Sequence, residues 1–379
     1  MKNILIFSFL IGVISCKMHE KPEPYYTKYY PGKIWNDNNG VPINAHGGGI
    51  LTVGPTYYWY GEHKIKGVAG NVAHVGVHCY SSTDLSNWKD EGVVLKVAKN
   101  DPTSEITEGC IIERPKVAYN KKTNRYVMFF HLEFKMRRYE TSRTGVAISK
   151  SPTGPFTFLK SYRPNAGVWP QNVLEQQKDL SRRAEKSFYG GGPGSLPAHA
   201  DSVNILGRDF DVGQMARDQT IFVDDDGKAY HVYASESNST LHISLLTDDY
   251  LSESGIYYRI FPNDYNEAPA VFKHNGTYYL LSSGCTGWAP NEARLASAPN
   301  IFGPWTMMDN PCVGFNAQLE LGPEKTFGGQ STFVLAVAGK ENTYIAMFDI
   351  WEPTNAIDGR YAWLPLTFID GKPRIEWKD

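Results

Sequence analysis

The chain has 379 residues, enough for one large domain or two domains of ordinary size. Its hydrophobic content of 41% is typical of a globular protein, and aromatic residues make up 13%. The formal net charge is −2 and no basic cluster occurs, which excludes electrostatic recognition of nucleic acid or of an anionic membrane surface.

The first residues have the pattern of an export signal. Residues 1–15 contain one lysine and an apolar run that is too short to span a bilayer as a helix. A small residue, Ser15, precedes Cys16 as in bacterial lipoprotein signals, so we expect lipidation at Cys16; a plain signal peptide is the alternative. Residues 16–30 are polar and contain proline, as a tether does. The pattern predicts an exported protein, lipid-anchored to the bacterial outer membrane on its periplasmic or surface face.

Five segments repeat one design, an apolar strand, a glycine or asparagine turn and a tyrosine-rich strand. They are residues 48–62, 114–133, 219–235, 268–284 and 331–351. A third strand follows in several units. Repetition of a whole hairpin predicts an all-β fold, a single five-bladed β-propeller over residues 31–379, in preference to a β-sandwich.

A long insertion at about residues 163–216 separates the second and third units. Within it, Gln171–Phe188 is the one candidate helix. Such a long non-repeating loop is usually functional or mobile, so the insertion is either a rim or lid over one end of the propeller or a decorative surface loop.

Four cysteines lie beyond the export signal, and export permits disulfides among them. A Cys285–Cys312 bridge would suit a staple inside one structural unit, although connectivity is not readable from sequence. No C-x-x-C pair occurs, so the sequence does not indicate a zinc site.

The first strands of the five units carry polar residues in a common register. Counting nine residues back from each hairpin turn gives Ala45, Glu113, Asp218, Glu267 and Gln330. Equivalent positions in a propeller form a ring around its axis, so we expect the four polar residues to converge at one mouth. The alternative is that each only pins a strand end.

Neighbouring buried carboxylates raise the pKa of at least one of them, which supplies a protonated acid at neutral pH. Carboxylates in an aromatic-lined funnel predict glycoside cleavage. In that reaction one acid protonates the leaving oxygen and a second group activates water from the opposite face.

The stretches “IIERPKVAYN”, “NEAPAVFKHNGTYY” and “FGGQSTFVL” resemble glycoside hydrolase family 43, and specifically its exo-β-1,3-galactanase branch. Similar stretches extend over most of the chain from Ile43 to Leu366, apart from the insertion. The resemblance implies a five-bladed propeller in which Glu267 is the general acid and Asp218 tunes its pKa and orientation. The family's first-blade aspartate is absent, because “NAHGGG” has no carboxylate; the galactanase branch shares this absence.

In that branch, a glutamate in “IERP” and a fifth-blade glutamine complete the site, which the resemblance carries over to Glu113 and Gln330. Gln330 stands near the position of a calcium-binding histidine in other members, so no metal and no cofactor are expected. In the account we favour, Gln330 contacts the attacking water and Glu113 holds sugar hydroxyls; the resemblance adds the option that Gln330 acts as a base through its imidic tautomer. In the other account, Glu113 is the base and Gln330 only binds substrate.

Four more residues are candidates for substrate binding. Trp288 and Trp351 could stack on sugar rings or belong to the core. His46 could contact a sugar hydroxyl or be a buried structural histidine, and Glu62 ends the first hairpin.

We therefore expect a monomeric exo-glycosidase that releases terminal galactose from β-1,3-galactan, such as plant arabinogalactan, with inversion. A family 43 α-L-arabinofuranosidase, β-xylosidase or galactofuranosidase is the second hypothesis. A surface glycan-binding propeller without catalysis is the third. Retention of Glu267 and Asp218 argues against the third, because binding alone does not need a tuned acid.

Overall fold

The computed structural model describes residues 25–184 and 204–378. The predicted export signal (1–15), the predicted lipidation site Cys16 and most of the tether (16–30) lie outside these ranges. Within them, no helix has the length and apolar character needed to cross a membrane.

The described residues form five sheets, the blades of a β-propeller, in which strands adjacent in sequence pair antiparallel. Blade 1 consists of β1 (His46–Val53), β2 (Thr56–Glu62), β3 (Gly76–Ser82) and β4 (Lys89–Lys96). Blade 2 consists of β5 (Ile111–Asn120), β6 (Arg125–Glu133), β7 (Arg143–Ser149) and β8 (Thr157–Tyr162). Blade 3 consists of β9 (Gln219–Val223), β10 (Ala229–Ser235), β11 (Thr240–Leu246) and β12 (Glu253–Ile260). The all-β, five-bladed prediction is confirmed.

The last two blades come from the C-terminal part of the chain. Blade 4 consists of β13 (Asn266–His274), β14 (Thr277–Gly284), β15 (Ala293–Ala298) and β16 (Thr306–Met308). Blade 5 consists of β17 (Cys312–Val313), β18 (Gln330–Ala336), β19 (Tyr344–Ile350), β20 (Arg360–Ile369) and β21 (Lys372–Glu376). The short β17 pairs parallel with β21 at the outer edge. The innermost strands β1, β5, β9, β13 and β18 contact one another in turn, and β18 returns to β1.

Helices in the described ranges are short. They are the α-helix Ile205–Arg208 and the 3₁₀ helices Val68–Asn71, Glu175–Lys178, Leu180–Arg182, Pro323–Gly328 and Ala356–Asp358. The predicted helix Gln171–Phe188 is therefore wrong over its described part. Asn172 exchanges two hydrogen bonds with the backbone of Arg259 in β12, so this part of the insertion lies along the edge of blade 3 instead of coiling.

The cysteines Cys79, Cys110, Cys285 and Cys312 are buried free thiols. The Cys285–Cys312 bridge considered from the sequence is therefore not formed. Cys285 follows the second strand of blade 4, whereas Cys312 lies in the outer strand of blade 5, so the two do not share a structural unit.

An aromatic cluster closes the ring between blades 5 and 1. In the described chain, all strands of blade 5 come from residues after 311, so no strand is shared across this seam. The ring of Trp59 lies 4.7 Å from Tyr361 and 4.7 Å from Trp363, between centroids. Trp35 and Trp88 complete the cluster. Closure thus rests on this side-chain packing together with hydrogen bonds across the seam, such as that from the Gly47 N–H to Asp349 Oδ2 at 2.7 Å.

We expect Trp59→Ala to lower the free energy of unfolding by about 3–5 kcal/mol, because Trp59 is 1% exposed and the truncation leaves a cavity in the seam. The control Trp288→Ala removes a side chain that is 43% exposed and should change stability by about 0.5 kcal/mol or less. Urea denaturation measures both. An equal loss in the two variants would show that the seam does not depend on this cluster.

Candidate active site

Four of the five innermost strands bend at the same place. Their pairing with the next strand skips a position at a β-bulge, between His46 and Gly49, Glu113 and Lys116, Glu267 and Ala270, and Ser331 and Phe333. The residues that follow the two glutamates, Arg114 and Ala268, both have a left-handed φ of 55°. Each such residue costs on the order of 1 kcal/mol or more, and a bulge re-aims the side chains beside it.

The bulged ends of the strands surround a pocket of about 260 Å³. The four residues that the sequence register predicted to converge line this pocket together: Glu113, Asp218, Glu267 and Gln330. The candidate binding residues Glu62, Trp288 and Trp351 line it as well. A cavity of this size has room for a sugar ring.

His46 is the exception, because it does not line the pocket. It is 1% exposed and stacks on Tyr361, with 5.0 Å between ring centroids. Its Nδ1 lies 3.5 Å from Asp349 Oδ2. The structure therefore places His46 in the seam between blades 1 and 5, as the structural alternative predicted, and not in contact with substrate.

Gly47, the residue after His46, lets the backbone pass close to the side chain of Glu62. Gly47 has a φ of +61°, and a Cβ there would lie 2.2 Å from Glu62 Oε1. Glu62 itself is buried, with its Oε2 2.6 Å from Lys64 Nζ and its Oε1 accepting a hydrogen bond from the backbone N–H of Arg114.

Arg114 is the central cation of the pocket. Its Nη2 donates to Gln330 Oε1 at 2.5 Å and lies 3.0 Å from Asp218 Oδ2. Its Nη1 donates to the carbonyl of Ser331 at 2.8 Å. Together with the backbone contact to Glu62, these bonds join blade 2 to blades 1, 3 and 5.

Glu267 is the group with the raised pKa. Burial and the negative charge of Asp218 raise the pKa of Glu267 to about 8, although Arg114 opposes the shift. Asp218 is fixed in place because its Oδ2 accepts a hydrogen bond from the backbone N–H of Ala268, next to Glu267. Asn238 Nδ2 faces Glu267 Oε2 at 3.4 Å. The carboxyl of Glu267 is therefore protonated at neutral pH and can donate a proton.

Gln330 is saturated by four partners. Its Oε1 accepts from Arg114 and from Trp351 Nε1 at 2.9 Å. Its Nε2 donates to Glu267 Oε1 and to Ser283 Oγ, both at 3.0 Å. Because a guanidinium and an indole N–H can only donate, the atom that faces them is the amide oxygen.

Glu113 is held by donors on both oxygens. His131 Nδ1 contacts its Oε2 at 3.0 Å, and the hydroxyl of Tyr139 donates to its Oε1 at 2.8 Å. Burial would raise the pKa of Glu113, but the hydrogen bond and charge of His131 outweigh it and lower the pKa to about 2. Glu113 is therefore ionised throughout the neutral range.

Glu113, His131 and Asp218 place polar atoms within 4.8 Å of one another, which is the one such group of acidic and histidine residues in the described ranges. Both ring nitrogens of His131 already contact carboxylates, Nδ1 at Glu113 and Nε2 at Glu133. The arrangement is thus a set of hydrogen-bonded ion pairs.

The sequence register did not find several residues of the pocket: Lys64, Arg114, His131, Tyr139, Arg217 and Asn238. Arg114 directly follows Glu113 in the “IERP” motif, and this adjacency was the available signal. Tyr139 and Asn238 lie in loops outside the repeated hairpins, so no register predicts them.

The sequence profile described as “Glycosyl hydrolases family 43” matches residues 200–370. Residues of this chain also match “Beta-D-galactofuranosidase xynD” of Aspergillus niger, with 37% identity over 96 residues. That match includes 25% of this chain and 27% of the relative, so the chain matches about a quarter of that protein's length.

Solved structures resemble the whole propeller. A GH43 β-1,3-galactosidase, BT3683, solved with galactodeoxynojirimycin, is 46% identical over 93% of this chain and 99% of its own, with a TM-score of 0.83. An exo-β-1,3-galactanase from Clostridium thermocellum is 34% identical over 92% of this chain and 64% of its own, with a TM-score of 0.72. One from Phanerochaete chrysosporium, solved with β-1,3-galactotriose, is 30% identical over 92% of this chain and 66% of its own, with a TM-score of 0.71.

Identity of 46% along almost the full length of a solved member shows the family. The chain belongs to glycoside hydrolase family 43, a family of glycosidases that hydrolyse O-glycosyl bonds, on the branch whose solved structures are exo-β-1,3-galactanases.

Proposed function

We propose that the protein is an exo-glycosidase that releases terminal galactose from β-1,3-linked galactan with inversion. The observation that carries this proposal is a half-buried glutamic acid, Glu267, with a pKa raised to about 8 in a pocket with room for a sugar ring. A pocket that accepts one ring suits cleavage at the end of a chain. The choice of galactose as the sugar and of β-1,3 as the linkage rests on the similar enzymes described as β-1,3-galactosidase or exo-β-1,3-galactanase.

Glu267 is the general acid in this mechanism. Its protonated carboxyl donates to the glycosidic oxygen as the bond to the anomeric carbon breaks, which leaves an oxocarbenium-like sugar. Asp218 keeps the proton on Glu267 until then through charge repulsion, and Arg114 keeps Asp218 in place. A site that only bound glycans would have no use for this raised pKa.

Gln330 positions the attacking water as an amide. An imidic tautomer would carry its proton on Oε1, where Arg114 and Trp351 present donors and no acceptor. Inversion requires the water on the sugar face opposite Glu267, so substrate binding must break the hydrogen bond from Gln330 Nε2 to Glu267 Oε1, after which Nε2 can donate to the water. Glu113, ionised in the neutral range, accepts hydrogen bonds from hydroxyl groups of the bound sugar.

Trp288 forms the exposed side of the pocket, edge-on to Trp351 at 5.8 Å between ring centroids. We propose that Trp288 stacks on a sugar ring at the mouth, where an aromatic face suits the apolar face of a galactose unit. We also propose that lipidation at Cys16 anchors the exported protein to the outer membrane.

A substrate panel tests the function. We expect galactose release from β-1,3-galactan and β-1,3-galactobiose, and none of arabinose or xylose from arabinoxylan or aryl glycosides. Release of galactofuranose, arabinose or xylose instead would identify another activity of the family.

The variant Glu267→Gln tests the general acid. It should lower kcat/KM on galactobiose by about 10²–10⁴-fold, because the leaving oxygen is no longer protonated. On an aryl galactoside with an acidic leaving group the loss should be much smaller.

The pH dependence tests the pairing of Glu267 with Asp218. Since Glu267 must be protonated to act, kcat/KM should fall as pH rises through about 8. Asp218→Asn removes the negative charge that raises this pKa, so the alkaline limb should move to lower pH. Asp225→Asn, at an exposed aspartate of the same blade, is the control. An unmoved limb in Asp218→Asn would assign the acid to another residue.

Gln330→Ala tests the positioning of water. We expect kcat on β-1,3-galactobiose to fall by about 10²-fold or more, because the water loses its orienting group and Arg114 loses an acceptor. Thermal denaturation of the same variant shows whether the fold is retained. Near-normal turnover in a folded variant would leave Glu113 as the group that activates water.

A further inference from the structure

His131 lies between two carboxylates and has no part in the mechanism described above. Its Nδ1 is 3.0 Å from Glu113 Oε2, in the pocket, and its Nε2 is 2.9 Å from Glu133 Oε1, behind it. When both acids are ionised they can only accept, so both ring nitrogens of His131 must then carry protons, as in an imidazolium.

Glu133 holds a second connection to Glu113. It is fully buried, and its Oε2 accepts hydrogen bonds from the backbone N–H groups of Thr141 and Ser142 and from the Thr141 hydroxyl. These bonds fix the end of the loop that carries Tyr139, whose hydroxyl donates to Glu113 Oε1. Glu133 therefore reaches one oxygen of Glu113 through His131 and the other through the loop.

The surrounding charges agree with this arrangement. Burial alone would lower the pKa of His131, but its hydrogen bonds to Glu113 and Glu133 raise it to about 9. The charge of Lys64 also lowers the pKa of Glu113. Asp218 is close by, since polar atoms of Asp218, Glu113 and His131 lie within 4.8 Å of one another. The guanidinium of Arg217 lies over the ring of Tyr139. It donates hydrogen bonds to the backbone carbonyl of Tyr139 and to the hydroxyl of Ser142.

We propose that His131, backed by Glu133, is a positioning residue that holds the carboxylate of Glu113 charged and aimed at the substrate. The proposal rests on the role of Glu113 in the proposed function. Without the imidazolium, Glu113 would be a half-buried carboxyl whose one hydrogen-bond donor is the neutral Tyr139, and both burial and the nearby Asp218 would favour its protonated form. A protonated Glu113 would present a donor where the sugar hydroxyl needs an acceptor.

His131→Asn tests the proposal, because asparagine retains a neutral donor near the position of Nδ1 and removes the charge. We expect a new acid limb in the pH profile, with kcat/KM falling about tenfold for each pH unit below the raised pKa of Glu113. The wild-type enzyme should show no such limb near neutral pH, since the pKa of its Glu113 is about 2. A role limited to stability would lower kcat/KM by the same factor at every pH.

His231→Asn is the matched control. His231 is also buried between polar partners, with its Nδ1 2.9 Å from Glu253 and its Nε2 2.6 Å from Gln219, and it does not line the pocket. The His231→Asn variant should have a pH profile of the same shape as that of the wild-type enzyme. If His131→Asn does not fold, Glu133→Gln replaces it; this variant removes the charge behind the imidazole and should shift the acid limb in the same direction by less.

The ¹⁵N chemical shifts of His131 provide a readout that needs no substrate. We expect His131 to be an imidazolium at pH 7 in the wild-type protein. We also expect His131 to lose its proton at a higher pH in the wild-type protein than in the Glu133→Gln variant. The pH profiles are measured on whichever substrate the panel shows to be cleaved, so a wrong sugar assignment leaves this test intact. A neutral His131 at pH 7, or identical acid limbs in wild type and His131→Asn, would overturn the proposal.

Discussion

The pocket depends on a buried guanidinium at the axis of the propeller. Arg114 is 4% exposed, and a buried cation without partners would cost several kcal/mol, so its contacts with Asp218, Gln330 and the Ser331 carbonyl are required of the fold as well as of the site. The same cation sets the chemistry, because it opposes the effect of Asp218 on Glu267 and keeps the pKa of that acid from rising further. The residues around Arg114 are therefore electrostatically coupled, and a substitution of one of them changes the electrostatic environment of the others.

This constraint gives a physical reason for an amide at position 330. The side chain there faces donor-only groups on one side, Arg114 and Trp351, and the carboxyl of Glu267 on the other. An amide accepts from the first and donates to the second at the same time. A carboxylate would satisfy Arg114 but would add a negative charge 3.0 Å from Glu267, where Asp218 already raises the pKa.

The ring of polar residues could be predicted because it follows the repeat: a register that recurs in each hairpin must recur around the axis, and Glu113, Asp218, Glu267 and Gln330 obey it. The partners of those residues do not. Tyr139 reaches Glu113 from a loop outside the hairpins. His46 directly follows the register position Ala45, yet its burial is decided by Tyr361 and Asp349, which are about 300 residues away in sequence and come next to it only when the ring closes. Local pattern therefore predicted strands and their inner ends, and long-range closure decided the rest.

The proposed chemistry places most of the catalytic demand on the acid. Gln330 is a very poor base as an amide, and the carboxylate of Glu113, with a pKa of about 2, accepts hydrogen bonds readily but protons poorly. Neither group can drive strong deprotonation of water before the glycosidic bond breaks. Bond breaking must then lead, with proton donation from Glu267 well advanced. The water is needed only in position, since an oxocarbenium-like sugar reacts with water that has lost little of its proton; that proton then passes to bulk solvent, which also returns one to Glu267. A site of this kind is expected to combine an acid of strongly raised pKa with a neutral, fully hydrogen-bonded amide, and Glu267 and Gln330 have these two properties.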